Sequence, residues 1–284
     1  MVFLAAAGLF GLLLGSFLNV AAHRLPQMEA SGIVRRGKPL SFLALPLSQC
    51  PHCATPIPPY YNIPLLSFIW LRGRTRCCQK PIGACYPLVE IGGALICLSA
   101  AAHFGKSLDF ILAAVFLSTL LVASVIDMRK YYLLDVLTLP LLWFGLLVNL
   151  DARFALLPDA VLGAAGGYLG MRLLAGVSGA VFQQTALGGG DLKLTAALGA
   201  WLGWQSLPFL LFLACIIGLA FAPVMHGLRY LARRRVSGDK RGFFRSYTKR
   251  RFCFGPALSL SGALMLFFGD DIIAAYWLFA GGGE

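Results

Sequence analysis

The sequence predicts an all-α polytopic membrane protein with about eight transmembrane helices and one small, cysteine-containing cytoplasmic insert. Three observations predict it. Of 284 residues, 58% are hydrophobic and only 13% charged, too apolar a balance for a soluble domain of this length. Apolar runs close to the roughly 20 residues that cross a hydrocarbon core recur along nearly the whole chain. The basic residues cluster between those runs: eight of the 24 Lys and Arg lie between Arg24 and Lys80, and ten between Arg229 and Arg251.

In order, the predicted spans are 2–22, 87–104, 108–126, 133–149, 156–176, 192–204, 206–228 and 254–279. The first is read as a retained helix and not a cleaved leader, because it lacks a basic start and its apolar stretch exceeds a signal core. Residues 24–86, rich in Pro, Gly and Cys, form the cytoplasmic insert between the helix of 1–23 and the membrane domain of 87–284. Residues 229–251 are a basic cytoplasmic loop. Clustered Lys and Arg mark the cytoplasmic side and sit beside anionic headgroups. Parity supports the count: the turns after spans 3, 5 and 7 carry Arg129 and Lys130, Lys193, and the Arg229–Arg251 cluster, which leaves both termini on the outer side. The spacings Ala7-Gly11-Gly15, Gly163-Gly167 and Gly166-Gly170 predict close helix packing.

The net charge of +12 therefore implies a membrane lipid partner and no nucleic acid. Acidic residues number twelve. Asp109, Asp151, Asp159, Asp270, Asp271 and Glu284 fall near the outer face, and Glu29 and Asp239 lie in cytoplasmic segments. Glu90, Asp127, Asp135 and Asp191 remain, at the cytoplasmic ends of spans, where an ionisable group is costly and a functional candidate by default. The bland alternative for each is an ion pair with a nearby base such as Arg129, Lys130 or Lys193.

Asp191 stands out because Gly188, Gly189 and Gly190 precede it and Leu192-Lys193 follow. Three glycines remove side-chain bulk, so that an extended substrate backbone can approach the carboxylate, and they permit φ > 0. The run fits neither a dinucleotide fingerprint nor a phosphate loop. Two carboxylates can hydrolyse a peptide when one activates water and the other donates a proton, and two Asp held close share a proton for that purpose. The end of span 3 or the start of span 4, Asp127 or Asp135, supplies the partner. Asp127 shares a helix face with Ala123 and Ser124, whose small side chains leave room for a substrate strand. Asp135 reads as a first-turn acid complementing the helix dipole. Asp127 and Asp191 are thus the expected catalytic pair, with Asp135 and Lys193 in support. A proton-coupled transporter, which also uses buried carboxylates, is the competing class, and a non-catalytic scaffold a third.

Taken together the motifs resemble the type IV prepilin peptidases, or type 4 leader peptidases, of the Gly-x-Gly-Asp intramembrane aspartyl proteases. They are Gly15-Ser16-Phe17-Leu18-Asn19-Val20 with Arg24-Leu25-Pro26, Cys50-Pro51-His52-Cys53, Tyr61-Asn62-Ile63-Pro64-Leu65-Leu66-Ser67, Tyr86-Pro87-Leu88-Val89-Glu90, Ile126-Asp127 through Leu134-Asp135, Gly188 to Lys193, and Phe254-Gly255-Pro256-Ala257. Their order and spacing carry the resemblance across nearly the whole chain. It implies removal of the basic leader from prepilins and pseudopilins, the substrates of type IV pilus and type II secretion systems. The cut would fall at the cytoplasmic face of a bacterial inner membrane. It also implies methylation of the new N-terminus with S-adenosylmethionine, and a first catalytic aspartate at Asp127. Leu134 departs from the family's usual Pro.

Of eight cysteines, Cys97, Cys215 and Cys253 lie in or beside spans and read as small apolar side chains. Cys50, Cys53, Cys77, Cys78 and Cys85 share the insert, in a reducing compartment that disfavours disulfides. A Cys-x-x-Cys turn facing further cysteines suits zinc. The family's second half is also Cys-x-x-Cys, and here Thr75 replaces its first cysteine while Cys78 matches its second. Cys50, Cys53 and Cys78 are the expected ligands with Cys77 as fourth, His52 or Cys85 being the alternatives.

Overall fold

The structure is a computed structural model that describes residues 1–31, 50, 53, 55–58, 63–182, 188–237 and 253–281. His52, Tyr61, Asn62 and most of the basic 229–251 loop lie outside the described residues. The chain divides into two compact units, Met1–Val122 and Ala123–Glu284.

Every predicted span is helical. In chain order these helices are α1 (Val2–Ala30), α3 (Cys85–Phe104), α4 (Leu108–Lys130), α5 (Asp135–Val148), α6 (Leu157–Phe182), α7 (Gly189–Leu202), α8 (Leu207–Ser237) and α9 (Gly255–Gly281), and a short helix α2 spans Leu66–Trp70. No named strand occurs among the described residues, and the one isolated bridge there pairs Arg74 with Pro81. The chain is an all-α polytopic membrane protein. Among the described residues, six helices are long and apolar enough to cross a bilayer; α5 and α7, at 14 residues each, are not. At 1.5 Å per residue, 14 residues reach only about 21 Å, short of the roughly 30 Å core. The predicted count of eight thus corresponds to six full-length helices and two short ones.

In the first unit α1 runs on to Ala30 through Pro26, past the expected end of the span. Glycine makes its pairing with α3 possible. A Cβ on Gly11 would sit 2.5 Å from the Gly93 carbonyl oxygen, and one on Gly15 would sit 2.6 Å from Glu90 Cα. The backbones meet where any side chain would hold them apart. Asn19, buried in this seam, donates to the Tyr86 carbonyl at 2.9 Å.

The second unit is organised around α7, whose Leu192 and Leu194–Trp201 are buried. A helix apolar on every side belongs in a core, and α7 packs on α5, α6, α8 and α9. Gly163 and Gly199 allow α6 and α7 to touch backbone to backbone, and Gly167 lies 3.0 Å from the Thr195 carbonyl by the same measure. Gly166 and Gly170, expected to pack as well, face open space. The C-terminal end of α7 is tied down by polar groups. Asn149 donates to the carbonyls of Ala200 and Trp201 at 2.9 and 3.0 Å, while its own oxygen accepts from Phe154 and Ala155. The Trp201 indole donates to Leu141 of α5 at 2.9 Å. These bonds fix the helix whose other end carries Asp191.

Candidate active site and metal centre

Asp127 occupies the last turn of α4. It is buried, and its Oδ2 accepts the backbone N–H of Gly255 at 3.0 Å. Gly255 opens α9, so this donor belongs to the positive end of a helix, a favourable partner for a carboxylate. A Cβ at position 255 would fall 2.7 Å from Asp127 Oδ2, so only glycine lets the amide come so close. Cys253 adds a sulfur 3.5 Å from the Asp127 carbonyl.

Asp191 sits in the first turn of α7. Its Oδ2 accepts the N–H of Gly188 at 3.3 Å, and its own N–H donates to the Gly188 carbonyl at 3.1 Å. The residue therefore also caps its own helix. Asp127 and Asp191, 64 positions apart in sequence, both belong to the second unit, and each has a carboxylate oxygen that accepts a backbone N–H at the start of a helix.

The three glycines before Asp191 differ in what they face. Gly188 has φ −76°, and neither Gly189 nor Gly190 uses a positive φ, so conformational freedom is not what glycine supplies there. At Gly190 the reason is packing: a Cβ would lie 2.6 Å from the Leu133 Cβ. Gly189 alone faces open space, and a Cβ there would meet nothing within 4 Å. Ala123 and Ser124 are buried, so their small side chains serve close packing and do not leave an open face for a substrate strand.

Asp135 is engaged by a base. It begins α5, as the dipole argument expects, and both its oxygens accept from Lys193 Nζ, at 2.7 and 2.6 Å. This ion pair and the Gly190–Leu133 contact dock the start of α7 onto the Leu133–Asp135 segment. Glu90, a fourth candidate, has no base as partner in its hydrogen bond; it accepts the N–H of Leu65 at 2.9 Å.

In the first unit the sulfurs of Cys50, Cys53, Cys77 and Cys78 lie within 4.8 Å of one another. Cys85 begins α3 and is not in the cluster. The Cys50–Cys78 sulfurs are 3.8 Å apart and the Cys53–Cys77 sulfurs 3.2 Å. A tetrahedral ion with metal–sulfur bonds near 2.3 Å requires edges of about 3.8 Å, so the four thiols fit a metal with small adjustments. Thr75, in place of a cysteine, is not idle: it is buried, its Oγ1 lies 3.1 Å from the Cys78 sulfur, and it accepts the Lys80 N–H at 3.1 Å. Bonds from the Thr55 hydroxyl and amide pull the Cys53 thiol down to about 6, and the bond to Cys53 pushes Cys77 up to about 12. One member of the cluster is thus ready as a thiolate near neutrality, the form a metal needs.

Sequence reasoning named Gly255 only as part of a motif and gave it no role. The signal was present, in that a Gly-Pro pair opening a span marks a helix start whose first amides are free to donate.

The family model for the bacterial peptidase A24 N-terminal domain matches residues 9–104, and that for the type IV leader peptidase family matches residues 94–223. The chain is similar to a prepilin leader peptidase/N-methyltransferase of Aeromonas hydrophila, 43% identical over 284 residues, covering 94% of this chain and 91% of the relative. It is 41% identical over 299 residues to the protein of that name from Burkholderia pseudomallei strain K96243, covering 98% and 88%. To that of Pseudomonas aeruginosa it is 40% identical over 294 residues, covering 99% and 96%. No solved structure matches. With both family models met end to end and relatives this similar along nearly their full length, the chain belongs to the type IV leader peptidase family.

Proposed function

We propose that the chain is a membrane-embedded aspartic endopeptidase that removes the leader from type IV prepilins and pseudopilins and then N-methylates the new N-terminus. What supports the peptidase reading is that Asp127 and Asp191 each sit at a helix end of the second unit with a carboxylate oxygen held by a backbone N–H. In the reaction one carboxylate, ionised, takes a proton from water while the oxygen attacks the scissile carbonyl carbon. The other, protonated, gives its proton to the carbonyl oxygen. As the tetrahedral intermediate collapses, the C–N bond breaks, the first carboxyl gives its proton to the leaving amine, the former carbonyl oxygen returns its proton to the other carboxylate, and the pair again holds one proton. Gly255 and Gly188 steady the two carboxylates. The Asp135–Lys193 pair, half exposed, keeps the first turn of α7 in register.

The cluster of Cys50, Cys53, Cys77 and Cys78 holds structural zinc, with Cys77 as the ligand that compensates for Thr75. The ion would tie together loops that have little helical structure of their own. The methyl donor, S-adenosylmethionine, is assigned to no residues among those described, and that activity rests on the relatives' shared name. The basic segments, Arg24–Lys80 and Arg229–Arg251, face the cytoplasm of a bacterial inner membrane, where a basic leader would be cut.

Incubating the purified chain with a prepilin and weighing the products tests this directly. The expected result is a shorter pilin cut at one bond, with a methyl mass added when S-adenosylmethionine is supplied. Intact prepilin after incubation with folded protein would overturn the peptidase reading.

A further inference from the structure

The short helix α2 presents an apolar face that remains exposed among the described residues. Leu66, Ile69 and Trp70 stand at i, i+3 and i+4, on one side of the helix, and are 63%, 71% and 84% exposed. The opposite side is occupied: Phe68 reaches to 3.2 Å from where a Gly73 Cβ would be. Three large exposed apolar side chains on a segment outside the spans call for an apolar partner.

Two further observations say which partner. The first is depth. The N–H of Leu65, at the head of α2, is bound to Glu90 Oε2 at 2.9 Å, and Leu65 adopts φ +58°, a conformation costly for a branched residue. Glu90 lies five residues into the 20-residue α3, about 7.5 Å along its axis, and α3 itself reaches about 30 Å, one hydrocarbon thickness. The Glu90 bond therefore ties the head of α2 to the second turn of α3, near the end at which that candidate span begins. The second is charge. Between Glu29 and Glu90 the sequence has seven Lys and Arg and no acidic residue. Arg72, Arg74 and Lys80, all exposed, follow α2 directly. An apolar face with Trp at its edge and a cationic border is the composition of a segment lying in an anionic interface.

We propose that α2 is an interfacial anchor. Leu66, Ile69 and Trp70 enter the headgroup boundary of the leaflet in which α3 begins, Arg72, Arg74 and Lys80 rest on anionic headgroups, and the cysteine cluster is thereby seated on the membrane surface. The anchor rests on the membrane-spanning fold and not on the peptidase reading.

The test uses the full chain in nanodiscs of phosphatidylcholine, with or without phosphatidylglycerol, carrying a photo-crosslinking residue at position 69, 70 or, as control, 83. Gly83 is exposed with nothing within 4 Å. Lipid-mass adducts should form at 69 and 70 severalfold more than at 83, and should fall when phosphatidylglycerol is omitted. Adducts mainly to a second copy or to added prepilin, or no excess over position 83, would overturn the anchor; equal yields in both lipid mixtures would overturn its headgroup half. Trp70→Phe gives a second readout that needs no reactive residue. The emission it removes should be blue-shifted and quenched by lipids brominated near the headgroup, whereas water-like, unquenched emission would contradict the insertion.

Discussion

The thiol cluster of the first unit and the carboxylate pair of the second both gather groups that repel one another when ionised, and they are held by opposite means. Cys50, Cys53, Cys77 and Cys78 sit in turns with an isolated bridge beside them. Asp127 and Asp191 project from helix ends, and α7 is buried along most of its length and bolted by Asn149 and Trp201. Under the proposed function the thiols would need an ion to cancel their charge and close the loops. The carboxylates would need only a shared proton, held as they are by helix ends in a packed unit. Loss of one group should therefore have a different consequence in each place: chemistry lost with the fold intact in the second unit, local structure lost in the first.

The largest effect is expected at Asp191. Asp191→Asn keeps the shape and the cap but cannot exchange the proton, so prepilin cleavage should fall by several orders of magnitude, on the scale seen when a member of a catalytic unit is removed. Its circular dichroism and zinc content should match the parent. Cys50→Ser tests the other half of the comparison. Its bound zinc, expected at about one ion per chain, should be lost or reduced in metal analysis, and limited proteolysis should cut between residues 50 and 84 faster than in the parent. Parental zinc content in this variant would mean that the four-thiol site is wrongly drawn.

Gly255→Ala should be intermediate. Its methyl would occupy space 2.7 Å from Asp127 Oδ2 and push the amide away. Losing a hydrogen bond to a charged group, worth about 1.5–3 kcal/mol, corresponds to a rate loss of about 10- to 100-fold. Initial cleavage rates at matched protein amounts measure it. The smallest effect belongs to Lys193→Met. The Asp135–Lys193 pair is 51% and 31% exposed at the two side chains, and such pairs contribute at most about 1 kcal/mol, so a loss of about fivefold or less is expected. A collapse as deep as that of Asp191→Asn would make Lys193 part of the chemistry.

Much of this was legible in the sequence, and the physical reason differs by element. Bilayer crossing imposes a length and an apolarity that are written residue by residue, so each span was placed to within a few residues, apart from α1, α6 and α8, which run on past the expected ends. The carboxylate candidates were legible because twelve acids in an apolar chain are few enough to sort by position. What could not be read were contacts made by backbone. Nothing in the letters says that the Gly255 amide binds Asp127, that Glu90 accepts the Leu65 amide, or that Gly190 is small because of Leu133. Each joins segments distant in sequence through groups every residue possesses. The short length of α7 was legible in the predicted span 192–204, whereas that of α5 was hidden within 133–149, since a buried helix and a spanning helix are equally apolar.

The most direct test of the account is a side-by-side measurement of Asp127→Asn and Asp135→Asn, each shown to be membrane-inserted, folded and zinc-loaded, on the same prepilin. The proposed mechanism pairs Asp127 with Asp191, and Asp135 is bound by Lys193. Asp127→Asn should therefore be inactive to within the detection limit, and Asp135→Asn should cleave at a reduced but measurable rate. Near-parental cleavage by Asp127→Asn together with a dead Asp135→Asn would contradict the assignment.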